Sequence, residues 1–246
     1  MIKPVVAVVT ALTLLGLTTG SAAPATLDGR WTMTLAPGSS VVVLDTIGSA
    51  DLRLQGSYSP VPGAVGDAVR FRYRGGPALG TASSSSIFNP GTAPFAVAAY
   101  LRTPRVPTTG DYSPNVVQKG LWSADNGQWK MQLVPRVGKT IAVCRFAGDR
   151  LRAGDTVVDR FSTPLAGNGW HEVVCWRLAT SYGITVDGRV TSVHGDVGSI
   201  TSVTPLRIAN KTPQAGVEDQ FRGSLDCIAY AAGTAPRRVA EARVPC

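Results

Sequence analysis

The sequence predicts an all-β domain built as a sandwich or a barrel. Strand-like runs recur along the chain with turn residues between them, and no helical segment intervenes. Glutamate occurs only at Glu172, Glu218 and Glu241, while Val, Thr, Ser, Gly and Pro abound. That balance disfavours helices and suits strands joined by many turns.

Taken in order, the chain opens with one lysine, Lys3, and an apolar run over residues 4–17. That run is shorter than the ~20 apolar residues a membrane-spanning helix needs. Small residues follow it, as at a cleavage site, so residues 1–23 read as a secretory signal peptide and residues 27–246 as a single mature domain. VVVLD (41–45) and DLRLQ (51–55) are the first strand signals. AVRFRYRGG (68–76) places Val69, Phe71 and Tyr73 on one face and Arg70, Arg72 and Arg74 on the other, a period of two. TASSSSIFNPGTAP (81–94) is the most loop-like stretch. FAVAAYL (95–101) is apolar on both faces, as a central buried strand is. WKMQLV (129–134) presents Trp129, Met131 and Leu133 together, and TIAVCRF (140–146) follows. YGITVDGRVTSV (182–193) reads as a hairpin whose Asp187-Gly188 pair suits a type I′ turn. PLRIA (205–209) and FRGSLDCIAYA (221–231) close the set, and APRRVAEARVPC (235–246) is expected to make a short helix.

The run WHEVVCWRL (170–178) looks chemical. On a strand, however, Trp170, Glu172, Val174 and Trp176 share one face, and His171, Val173, Cys175 and Arg177 share the other. Sequence neighbours on a strand point apart, so His171 and Glu172 do not form an acid–base pair. The run reads as core packing.

Charged residues make up 16% of the chain and the net charge is +8. The arginines are scattered, with no long basic run or aromatic platform, so nucleic acid is not the expected partner. An anionic cell wall or acidic polysaccharide fits the charge better. The four cysteines are Cys144, Cys175, Cys227 and Cys246, an even count behind an export signal. Three pairings are possible. The favoured one joins Cys144 to Cys175 across two neighbouring strands and Cys227 to Cys246. No CxxC spacing suggests zinc or thiol redox chemistry.

Six segments together bear a resemblance. They are VVLDTIGSADLRLQG, GAVGDAVRFRY, FNPGTAPFAVAAYLRT, VVQKGLWSADNGQWKMQLV, GWHEVVCWRLATSYGITVDGRV, and PLRIANKTP with DQFRGSLDCIAY. In this order the chain, over about residues 27–230, resembles the laminin G-like, concanavalin A-like lectin/glucanase family. The resemblance implies a two-sheet antiparallel jelly-roll sandwich, and it says less about function because the fold hosts many. Some relatives hold a structural calcium, which here implies Asp226, with Asp45 as a further ligand. Laminarinase-type relatives carry Glu-x-Asp-x-x-Glu on one strand, and this chain has no such motif.

The expected function is a secreted, non-catalytic carbohydrate- or glycoconjugate-binding domain. Sugar rings stack on aromatics flanked by amides and carboxylates, and Trp122 with Asp125 and Asn126 is the best such set. The Arg70/Arg72/Arg74 stripe reads first as a solvated face and second as a contact for an anionic glycan. One alternative is a glycoside hydrolase or polysaccharide lyase, which needs convergent groups such as Tyr112, His194 and Glu218. Another is an extracellular adhesion protein with a flat apolar patch. There is no Gly-x-Ser-x-Gly elbow for a serine hydrolase. Asn210-Lys211-Thr212 is a glycosylation sequon, discounted because Pro213 follows and the composition looks bacterial.

Overall fold

The computed structural model describes residues 27–82, 86–103, 113–121, 127–136, 139–149, 164–165 and 169–233. Within them the strands are β1 (Gly29–Leu35), β2 (Val42–Asp45), β3 (Leu52–Gln55), β4 (Tyr58–Pro62), β5 (Asp67–Phe71), β6 (Leu79–Ala82), β7 (Phe95–Arg102) and β8 (Asn115–Lys119). They continue as β9 (Gln128–Arg136), β10 (Lys139–Ala147), β11 (Pro164–Leu165), β12 (His171–Arg177), β13 (Ser181–Val186), β14 (Arg189–His194), β15 (Arg207–Ile208) and β16 (Gly223–Ala232). Every pairing between them is antiparallel. Among the described residues no helix is long and apolar enough to cross a membrane.

Hydrogen bonding runs in one continuous path, β11-β10-β9-β8-β15-β6-β3-β2-β1-β16-β7-β12-β13-β14, with β4 and β5 branching from β16. The path doubles over into a two-layer jelly roll. Trp129 of β9 stacks on Tyr230 of β16 with ring centroids 5.5 Å apart. Phe95 of β7 meets Phe146 of β10, and Phe146 meets Tyr182 of β13. One apolar core therefore lies between β10-β9-β8-β15-β6-β3 and β1-β16-β7-β12-β13. Aromatic pairs of this kind add about 0.5–1.5 kcal/mol each beyond the area they bury.

The expected bond between Cys144 and Cys175 is present. Its expected setting is not. β10 and β12 are far apart along the hydrogen-bonded path, so the bond ties one layer to the other rather than two neighbouring strands. The reason is alternation. Cys144 and Cys175 both fall on inward-facing positions, beside Phe146 and Val173, and inward positions of opposite layers meet across the core. Cys227 is also disulfide-bonded, while its expected partner Cys246 and the tail expected to be helical lie outside the described residues.

The Trp-His run behaves as filling, though not as a single face. His171, Val173, Cys175 and Arg177 point inward. Val174 and Trp176 instead join Ala96, Ala98, Ala229 and Ala231 in a second apolar cluster on the outer side of that layer. Trp170 is half-buried, with the Arg102 guanidinium 4.9 Å above its ring. The Asp187-Gly188 turn has positive φ at both positions, 49° and 79°, as type I′ requires. Asp187 accepts from His171 Nδ1 at 2.8 Å and from the Glu172 amide at 3.0 Å. The histidine's carboxylate partner is thus the hairpin aspartate and not its sequence neighbour.

The arginine stripe is shorter than expected. β5 ends at Phe71, so Arg72, Tyr73 and Arg74 fall outside the strand. Arg72 N–H still bonds the Ser57 carbonyl, and the chain then turns at Gly75, whose φ is 69°. The sequon asparagine, Asn210, is fully buried and its amide donates to Gln220 Oε1, which leaves no room for a glycan. Strands β4 and β6 have no counterpart in the expected strand set, because Pro and Gly interrupt their apolar positions, and β1 has none although Trp31, Met33 and Leu35 alternate with Thr32 and Thr34.

Candidate functional site

Among the described residues, the outer face of β8, β9 and β10 gathers a group of buried polar side chains. Along β9, Trp129, Met131 and Leu133 enter the core, so Gln128, Lys130 and Gln132 point the other way. Register brings Arg145 and Val143 of β10 beside Lys130 and Gln132, and Gln118 and Asn115 of β8 on their other side. An outward sheet face of polar residues is ordinary. These differ in being shielded: Asn115 and Gln132 are 0% exposed, Gln118 2% and Lys130 9%.

Their hydrogen bonding is incomplete. Neither amide atom of Gln132 has a partner within the protein. Asn115 donates to Asp219 Oδ1 at 3.3 Å, but its own oxygen accepts nothing. Gln118 donates to the Gly120 carbonyl at 2.7 Å, and its oxygen is likewise unmet. Arg145 Nε has no acceptor. Buried polar groups are normally paired, and each unpaired one costs about 1–3 kcal/mol. Several on one face make it an unusual stretch of the interior, where such groups normally find a partner.

The face is also positive. Lys130 is lowered from its ordinary 10.5 to about 8, first by burial and then by repulsion from Arg145, with Asp219 opposing and Lys211 adding to the repulsion. The unfolded chain therefore holds this proton more tightly than the folded one. Stability should rise with pH between about 8 and 10.5 as folded Lys130 becomes neutral. Lys130→Gln is expected to abolish that rise and to stabilise the protein at neutral pH by about 1–3 kcal/mol. Urea titrations of both proteins at neutral and alkaline pH check it.

The residues expected from sequence lie as follows. Trp122, Asp125 and Asn126 belong to the segment joining β8 to β9 and are outside the described residues, as is Tyr112. His194 ends strand β14, and Glu218 is in a short 3-10 turn, Val217–Asp219. Asp45 is a turn brace: Oδ1 accepts from the amides of Arg30, Ile47 and Gly48, and Oδ2 from Ala50. Asp226 Oδ2 accepts from Ala64 and Val65, and burial raises its pKa, with Asp67 adding to the rise. Calcium takes six to eight oxygens. The hydrogen-bond partners of both carboxylates are N–H groups, which present the wrong sign to a cation, although Asp226 Oδ1 is itself unpartnered. No group of three His, Cys, Asp or Glu side chains gathers among the described residues. On these neighbours the pair does not fit a calcium cage.

The polar face was missed because QWKMQL was read for its apolar half alone. The signal lay in the same alternation, where Gln, Lys and Gln occupy every second position.

No family model matches the chain, and no curated protein matches it. Solved structures do. Domain 4 of AbnA, an extracellular arabinanase from Geobacillus stearothermophilus, solved with arabinotriose, superposes with a TM-score of 0.58 and 12% identity over 89% of this chain and 98% of that one. A structure of botulinum neurotoxin type C, whose cell entry depends on interaction with two ganglioside molecules, matches with a TM-score of 0.61 and 11% identity over 87% of this chain and 50% of its own. The Trypanosoma rangeli sialidase, solved with the inhibitor DANA, matches with a TM-score of 0.52 and 16% identity over 86% and 32%. This chain thus spans about half the length of the toxin structures it resembles. At such identities the likeness establishes the fold.

Proposed function

We propose that the chain is a carbohydrate- or glycoconjugate-binding jelly-roll domain that acts without catalysis outside the cell. The observation that carries this reading is the jelly-roll fold itself, shared with a domain solved with arabinotriose and with a toxin structure linked to gangliosides. Its non-catalytic part rests on the missing paired-glutamate motif. Its extracellular part rests on the signal-like N-terminus and on the Cys144–Cys175 bond, which persists in oxidising surroundings.

The test is binding of the purified domain to a panel of neutral and acidic polysaccharides, repeated with Trp122→Ala. Affinity is expected to fall about tenfold, the equivalent of one good contact. Binding that ignores Trp122→Ala would place the site elsewhere on the domain. A wild-type domain that binds no glycan of the panel would end the reading.

A further inference from the structure

A row of side chains crosses the outer face of the β1-β16-β7-β12-β13 layer, at the end of β12 where Trp170 stands. Ser59 of β4 lies opposite Arg70 of β5, Arg70 opposite Ser224 of β16, and Ser224 opposite Arg102 of β7. The β7–β12 register sets His171 opposite Leu101 and so carries the row on to Trp170, whose ring centroid is 4.9 Å from the Arg102 guanidinium. Val69, Phe71, Leu101 and Leu225 enter the core, so Arg70, Arg102 and Ser224 beside them point outward. Arg70 is exposed, and Arg102 and Trp170 are half-buried, so all three can be reached from outside. Ser224 is 3% exposed and serves only as floor between the two arginines. At about 4.8 Å per strand Arg70 and Arg102 stand roughly 10 Å apart at the backbone, close enough for two long side chains to hold one anion. Neither forms an ion pair with a described residue. Arg222, two residues before Ser224, is exposed on the same side. Glu172 shares this face one row further along, opposite Tyr100.

Stacking holds the Arg102 guanidinium by its face and leaves its N–H edge for an acceptor. A planar fork of that kind pairs with a carboxylate through two parallel hydrogen bonds. The indole beside it offers an apolar surface to the C–H face of a sugar ring. We infer that Trp170, Arg102 and Arg70 form a second binding site, for a carboxylated sugar unit of an acidic glycan, with the ring on Trp170 and the carboxylate on the two arginines. Nucleic acid is the less suited partner, because single strands take a run of aromatics along a basic groove and this row has one indole. The site goes beyond the carbohydrate-binding reading above, because it lies apart from Trp122. Arg177, at the far end of β12, donates to the Gly91 carbonyl, and Gly91 is hydrogen-bonded to Ile200. Gly127 packs on Ile200, and Gly120 packs on Gly127, so the segment carrying Trp122 leaves and rejoins the sheet at that far end. At about 3.3 Å per residue that end is roughly 20 Å from Trp170.

The experiment compares polygalacturonate with its fully methyl-esterified form, which keeps the backbone and loses the charge, and with single-stranded DNA. Affinities are measured for the wild type, Arg70→Gln, Arg102→Gln, Arg102→Lys and Trp122→Ala, with Tm recorded for each. Arg70 is exposed, so its variant remains informative if Arg102→Gln perturbs folding. The expected result is that polygalacturonate binds at least about tenfold more tightly than the ester, and that each Gln variant narrows the gap several-fold, as loss of a charge-assisted contact implies. Arg102→Lys should restore only part of the gap, since an ammonium lacks the fork, and Trp122→Ala should leave the gap as it is. Equal binding of acid and ester, or a gap that survives both Gln variants, overturns the inference yet leaves carbohydrate binding standing. A gap abolished by Trp122→Ala puts the acid site at the other end of the domain and also overturns it. So does tighter binding of DNA than of polygalacturonate, sensitive to the same arginines. Binding of none of these and of no glycan in the wider panel removes both readings together.

Discussion

Replacing Cys144 and Cys175 together by alanine is expected to lower stability by about 3–4 kcal/mol, the loop-closure value for a bond spanning 31 residues. For a domain of this size that corresponds to a fall in Tm of roughly 6–16 °C. The bond matters because of where it lies. It joins β10 to β12 across the core, so the unfolded chain without it gains the freedom to separate the two layers. Both sulfurs are buried among apolar neighbours, and alanine also leaves a small void there, which adds to the loss. Urea unfolding of the double variant under non-reducing conditions is the measurement. A change under about 1 kcal/mol would mean that the aromatic core alone fixes how the layers face each other, and that the bond is incidental.

Arg177→Ala is expected to cost a similar amount, about 3–5 kcal/mol, by leaving buried carbonyls without donors. The side chain ends β12 and is 2% exposed. One guanidinium nitrogen donates to the Gly198 carbonyl at 2.9 Å, and the other to Gly91 at 2.9 Å and to Ala93. Its plane lies over the Phe95 ring at 5.0 Å. Burial lowers its pKa to about 10, so it is charged at neutral pH and its N–H groups remain available to these acceptors. Three carbonyls from two separate loops thus converge on one planar group. Arg177→Lys should recover only part of the loss, since an ammonium lacks the rigid fork. Thermal unfolding of the two variants decides the matter: equal Tm for Lys and Ala would show that the fork contributes nothing beyond packing.

Much of the fold was legible because strand alternation is a local property. A side chain's inward or outward sense follows from its parity along the strand, so Trp129, Met131, Leu133, Val69 and Phe71 could be assigned to the core from spacing alone. The hairpin at Asp187-Gly188 was equally local, since a two-residue turn with positive φ selects its own residues. Short strands spaced by Pro, Thr and Gly, such as β4 and β6, carry too weak a period to be seen. The sugar-stacking candidate Trp122 came from residue type alone, which names a chemistry without placing it.

In the strands legible from sequence, parity determined which residues share a face, and the recurrence of such strands predicted the all-β class. What the tertiary structure decided was who stands beside whom. Arg70, Ser224, Arg102 and Trp170 come from four segments scattered over the chain, and strand order and register set them in one line. Strand order is a long-range outcome of burying one shared core, and no local window of residues contains it.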